Sequence, residues 1–112
     1  MAQRQRFQVE LTQNAQADLE ELIDFIAQHD AQLKALHVLE KMEDVMASLH
    51  TFPERGAFPK ELLALGIREF RETYFKPYRI IYSVLQTKVS VLLIADGRRD
   101  LRSLLAHRLL QA

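Results

Sequence analysis

The stretch IREFRETYFKPYRIIYSVLQTKVSVLLIAD, Ile67–Asp96, decides how this chain folds. Its apolar residues recur every second position, the period of a strand, whereas those before it recur at helical spacing. Ile67–Phe75 reads as a first strand, rich in arginine and aromatics, and Lys76-Pro77 as a turn. In the next strand Tyr78, Ile80, Tyr82 and Val84 alternate with Arg79, Ile81 and Ser83. Gln86-Thr87 fits a tight hairpin, though without the usual glycine. Lys88–Ala95 is strongly apolar and β-branched, which marks a central strand, and Asp96-Gly97 breaks it.

Upstream, the pattern is helical. Phe7, Val9 and Leu11 alternate with Gln8 and Glu10 as a short opening strand. Thr12 can cap a helix over residues 13–28, whose stripe is Ala15, Leu19, Leu22, Ile23 and Ile26. Asp30 can cap a second helix, with Leu36, Leu39, Met42, Val45, Met46 and Leu49 on its stripe to about His50. The short break between the two makes them an antiparallel hairpin. Phe52-Pro53 stops the second helix, Pro53–Gly56 forms a turn, and Pro59–Leu65 holds one helical turn ended by Gly66. Downstream, Asp100 can cap a last helix that buries Leu101, Leu104, Leu105 and Leu109. The expected fold is α+β, in the order β-α-α-β-β-β-α: a small, mostly antiparallel sheet packed by an N-terminal helical hairpin.

At 112 residues, 48% hydrophobic and 27% charged, the chain reads as one globular domain spanning 1–112. A domain this small can bury one core but has little room for a deep chamber, so its working surface is expected to be an open face or shallow groove. With no cysteine there is no disulfide framework, thiolate metal site or cysteine nucleophile. Arg4 and Arg6 precede no apolar leader, and no apolar run reaches membrane-spanning length. The expected setting is the cytoplasm, with no membrane, cofactor or metal. The zero net charge hides an asymmetry. Residues 1–65 carry 6 basic and 11 acidic side chains, residues 66–112 carry 9 basic and 4 acidic, and most of the later cations are arginines. Arginine's planar fork suits phosphates and carboxylates. Either the halves attract one another, or the arginines serve an acidic or polyanionic partner.

Four segments, in order, resemble one family. LTQNAQADLEELIDFIA (Leu11–Ala27) matches a Thr-x-x-Ala-x-x-Asp-Leu helix opening, and the FPERG turn (Phe52–Gly56) precedes a helical turn and GIREFRE (Gly66–Glu72). KPYRIIYSV (Lys76–Val84) carries an aromatic-Arg pair followed by aliphatics and tyrosine, and LIADGRRDLRSLLAHRLL spans Leu93–Leu110. Together they resemble the RelE/ParE superfamily, and within it the ParE-like (plasmid stabilisation) branch. That resemblance implies the toxin of a type II toxin–antitoxin pair, silenced by a cognate antitoxin that also carries any contact with operator DNA. It implies one of two actions. ParE-like members inhibit DNA gyrase without known hydrolytic chemistry, and RelE-like members cut mRNA in the ribosome without a metal.

Metal-free RNA cleavage needs a base, an acid and cations for the extra phosphate charge. Arg79 and Arg99 match the family's strand arginine and the arginine after the last strand. The lysines of RelE are replaced by Phe70 and Glu72, and its C-terminal tyrosine is lost near Leu105. The expected function is therefore gyrase inhibition, with Arg71, Arg79, Arg98, Arg99 and Arg102 as the target-binding set. The alternatives are a ribosome-dependent mRNA endonuclease using Arg79, Arg99, Glu72 and His107, and an antitoxin-binding module without toxic activity. For Glu72 the plainer reading is an ion pair with Arg71 or Arg79. Tyr74, Tyr78 and Tyr82 read as core residues, the alternative being stacking on bases.

Overall fold

The computed structural model describes residues 6–110. Residues 1–5, most of the segment read above for a leader, lie outside the described residues, as do residues 111 and 112. The element order is β1 (Gln8–Leu11), α1 (Gln13–His29), α2 (Gln32–Ala47), a 3₁₀ turn (Ser48–His50), α3 (Lys60–Leu63), β2 (Phe70–Phe75), β3 (Tyr78–Leu85), β4 (Lys88–Asp96) and α4 (Leu101–Leu110). The four strands form one sheet in the order β1-β4-β3-β2. The β2-β3 and β3-β4 pairs are antiparallel and β1 lies parallel to β4, with Val9 beside Val89. This is the expected α+β architecture.

Local chemistry accounts for most boundaries. The Thr12 hydroxyl accepts from the Ala15 amide and opens α1. The Asp100 carboxylate accepts from the Ser103 amide and hydroxyl at the start of α4. Gly66, at φ +77°, takes the left-handed conformation that ends the α3 turn, and the Ile67 amide closes back onto the Leu62 carbonyl. Two expectations are corrected. Asp30 does not cap α2: the cap position is Ala31, without a side-chain bond, and Asp30 instead pairs with Lys34 one turn on. The strand expected from Ile67 begins only at Phe70, because the chain after Gly66 is still turning off α3.

The core has two parts, one on each face of the sheet. On one face α1 and α2 pack Ala15, Leu19, Ile26, Val38, Met42 and Met46 against Ile80, Tyr82, Val89, Val91 and Ile94. On the other, Leu62 of α3 and Leu101 and Leu105 of α4 cover Ile81, Leu93 and Ala95. A bulge opposite Ile81 and Tyr82 shifts the register, which is why Val89 and Val91 face the hairpin but so does Ile94, not Leu93. Covering both faces explains the unbroken apolar run in β4. Leu36, expected on the buried stripe of α2, is 52% exposed on the outer side of the hairpin.

β4 outlasts its neighbour β1, which leaves a row of polar backbone groups to satisfy. The last bond between them runs from the Thr12 amide to the Val91 carbonyl. Beyond it, side chains take over. Asp18 of α1 accepts from the Ile94 amide at 3.1 Å, and Arg108 of α4 donates to the Leu92 carbonyl at 2.7 Å. The same two side chains form a two-pronged ion pair, both contacts 2.9 Å, that ties α1 to α4 across the sheet edge.

Candidate target-binding surface

β3 places Arg79 on the α3–α4 face, level with Ala95 of β4. Four of its five guanidinium N–H groups donate to carboxylates. Nη1 and Nη2 donate to the two Glu61 carboxylate oxygens at 2.8 and 2.9 Å, and Nε donates to Glu72 at 2.8 Å, with Nη2 closing on the same oxygen. Glu61 comes from α3 and Glu72 from β2, so one arginine staples α3 to the sheet. The side chains are 11, 16 and 8% exposed for Arg79, Glu61 and Glu72. Gly97 lets the Arg79 stem pass, because a Cβ there would lie 3.3 Å from its Cδ and 2.9 Å from the Pro77 carbonyl oxygen.

Electrostatics follow from this geometry. The Arg79 fork holds the Glu61 carboxyl below the usual glutamate range, and the two carboxylates, Glu61 foremost, hold Arg79 in its charged form. A carboxyl whose folded pKa is depressed contributes stability above its unfolded pKa, and that contribution is lost as pH falls through the lowered folded value. The unaltered chain should therefore be more stable than Glu61→Gln at pH 7, with the gap closing below about pH 4. Urea midpoints across that range check this, and a gap that stays constant down to pH 3 would refute it.

The other arginines lie elsewhere. Arg71 donates to the Glu54 and Gly56 carbonyls and stacks 4.6 Å over the Phe58 ring, so it secures the Pro53–Gly56 turn. Arg98 pairs with Asp96, whose carboxyl is lowered chiefly by that bond. Arg98, Arg99 and Arg102 are all exposed around the start of α4. They splay: Arg99 borders a groove with Asp18, Glu21 and Phe25 on the α1 side, and Arg102 borders another with Leu62 and Leu65 on the α3 side. The structure thus leaves Arg98, Arg99 and Arg102 exposed around the start of α4 but facing different ways, and puts Arg71 and Arg79 in structural contacts.

Glu72 occupies the ion pair that is the plainer reading of its sequence, and His107 is exposed on α4. Tyr82 is fully buried, accepting from the Gly56 amide at 3.1 Å, and burial raises its phenol. Tyr78 is half-buried and Tyr74 is exposed. Glu61, which completes the Arg79 staple, carries no sequence signal of that role: it sits on the helical turn 18 residues before Arg79. Among the described residues, no group of three or more His, Asp or Glu side chains could hold a metal ion. Nor is any described helix long and apolar enough to cross a membrane.

A helical hairpin on one face of a β1-β4-β3-β2 sheet, with α3 and α4 on the other, is the toxin fold of the RelE/ParE superfamily. The family is given by the sequence: residues 9–101 match the ParE toxin of type II toxin–antitoxin systems (parDE), and the chain belongs to that family. Among solved structures, it is similar to a chain of the chromosomal ParDE toxin–antitoxin system from P. aeruginosa, with TM-score 0.68, 18% identity, and coverage of 82% of this chain and 97% of that one. It is also similar to a chain of the RelBE2 toxin–antitoxin complex from Mycobacterium tuberculosis, with TM-score 0.57, 20% identity, and coverage of 86% and 97%. No curated protein matches it in sequence.

Proposed function

We propose that this toxin acts in the cytoplasm by binding and inhibiting DNA gyrase through the exposed Arg98, Arg99 and Arg102 around the start of α4, and that a cognate antitoxin silences it. The observation that carries this choice is the closure of Arg79 by Glu61 and Glu72. A ribonuclease of this fold needs that arginine for phosphate, yet here two carboxylates already fill its fork and would repel a phosphate brought to it. Arg99 and Arg102 are exposed and, among the described residues, in no salt bridge, while the exposed Arg98 pairs with Asp96 alone. Arginines near a helix N-terminus oppose the helix dipole; Asp96 compensates Arg98, but local stability gives no reason for Arg99 and Arg102, whereas an acidic partner surface does. Family membership and the ParDE neighbour agree with this reading.

The test uses the purified chain in two assays: supercoiling by gyrase, and mRNA cleavage in translating ribosomes. Inhibited supercoiling without cleavage is expected, accompanied in cells by growth arrest. The triple variant Arg98→Ala, Arg99→Ala, Arg102→Ala should raise the inhibitory concentration at least tenfold with little change in thermal stability, since these side chains are exposed. Ribosomal mRNA cleavage by a chain that leaves gyrase untouched would overturn the proposal.

A further inference from the structure

The hairpin buries one side against the sheet and leaves a groove between its helices on another. Leu19 and Ile23 of α1 and Leu39 of α2 form the floor, with Gln16, Glu20 and Asp24 along the α1 wall. The groove measures about 400 Å³. Beyond it, the apolar surface of α2 continues at helical spacing to Leu36 and Leu33, which are 52 and 81% exposed. An apolar stretch of this kind on a small domain marks a contact surface.

The charge around it has one sign. Among the described residues, no basic side chain lines the groove. Glu43 follows Leu39 by one helical turn and Glu40 follows Leu36 by one, so both extend the acidic rim on the α2 side. Glu20, Asp24, Glu40 and Glu43 are all exposed, and none of the four is in a salt bridge among the described residues. The cations of α2 do not offset them: Lys34 is held by Asp30, and Lys41, two residues after Leu39, points to the far side of the helix. Such a rim repels nucleic acid and attracts lysine and arginine.

We infer that the α1–α2 groove docks on the positively charged surface with which gyrase holds DNA, so that toxin and DNA compete for it. This rests on the reading of the chain as a gyrase inhibitor. A surface that holds DNA is rich in lysine and arginine, placed there for phosphates. The groove suits both ends of those side chains. Their aliphatic stems lie along Leu19, Ile23 and Leu39, and their heads meet the carboxylates of the rim. Arg99 borders the opposite flank of α1, beside Glu21 and Phe25, so the arginines at the start of α4 make a separate contact. Two surfaces of opposite sign then fix the toxin's orientation on its target.

The experiment measures inhibition of supercoiling by the purified chain at several DNA concentrations. The inhibitory concentration should rise in proportion to DNA, and the chain should displace a labelled duplex from gyrase. Glu20→Lys with Asp24→Lys reverses the groove wall and should raise the inhibitory concentration at least about tenfold. Glu54→Lys with Glu69→Lys makes the same change in net charge at exposed positions outside the groove and should stay within about twofold. Thermal melts establish that both variants fold. Affinity for the antitoxin encoded beside the chain should be the same, within about threefold, for the groove variant and the unaltered chain. Inhibition independent of DNA concentration, or equal effects of the two variants, overturns the groove assignment while leaving the gyrase reading intact. A groove variant that inhibits normally but loses the antitoxin, or that abolishes a dimer of the isolated chain, gives the groove to another occupant and also overturns it. Failure of the unaltered chain to inhibit gyrase overturns both.

Discussion

Replacing Arg79 by methionine is expected to lower the stability of the chain by about 3 kcal/mol, or roughly 10 °C in Tm. The reason is what it leaves behind. Glu61 and Glu72 both point at the guanidinium and are largely shielded from water. Without it two carboxylates share a poorly hydrated space with no cation. Glu61→Gln should cost less, because Arg79 keeps Glu72. The Arg79→Met variant has a second signature of opposite pH sign. Its carboxyls would have folded pKa values raised above their unfolded ones, so acidification from pH 7 toward pH 4.5 should narrow its deficit relative to the unaltered chain. Replacing all three side chains by aliphatic ones of similar volume should recover much of the loss, since a buried ion cluster is weak evidence of net stabilisation. Denaturant melts of the three variants measure this. A loss under 1 kcal/mol for Arg79→Met, flat with pH, would mean that water already reaches the cluster.

The second large effect is expected at Asp18, through the polar groups it satisfies. Asp18→Ala removes both prongs of the Arg108 pair and the acceptor of the Ile94 amide. Arg108 keeps only the Leu92 carbonyl. Leaving a half-buried guanidinium and a strand amide short of partners should cost about 2–3 kcal/mol. Asp18→Asn should cost less, because the amide oxygen can still accept from Ile94. As Arg108 anchors α4, its amides should exchange faster in Asp18→Ala than those of α2. A double-mutant cycle with Arg108→Ala separates the pair from the backbone contacts. Additive losses and unchanged exchange in α4 would show that apolar packing at Leu101 and Leu105 alone holds the helix.

These two clusters also connect stability to function. α4 carries Arg102 and follows directly on Arg98 and Arg99, so whatever fixes α4 fixes the proposed target surface. The Arg79 staple acts from the α3 side, fixing the helical turn whose Leu62 packs with Leu101 and Leu105 of α4. Loosening either should weaken antitoxin and target binding together.

Most of the elements follow from signals local to each segment. Alternation in Tyr78–Val84, the unbroken apolar run in β4, the Thr12 cap and the Gly66 stop are local signals, each set by contacts within a few residues. The opening of α2 misled because Asp30 had two local partners, the helix amides and Lys34, and the ion pair won. Whom each charge faces, by contrast, is set by packing. The strand arginine looks the same in sequence whether it is open to phosphate or closed by carboxylates. Its closure depends on Glu61, brought beside it by packing of Leu62 under α4. The parallel placement of β1, the bulge that redirects Ile94, and the Asp18–Arg108 clamp spanning 90 residues are likewise set by which surfaces bury against which. Period and capping are properties of a segment, but the partner of a charge is a property of the packed whole.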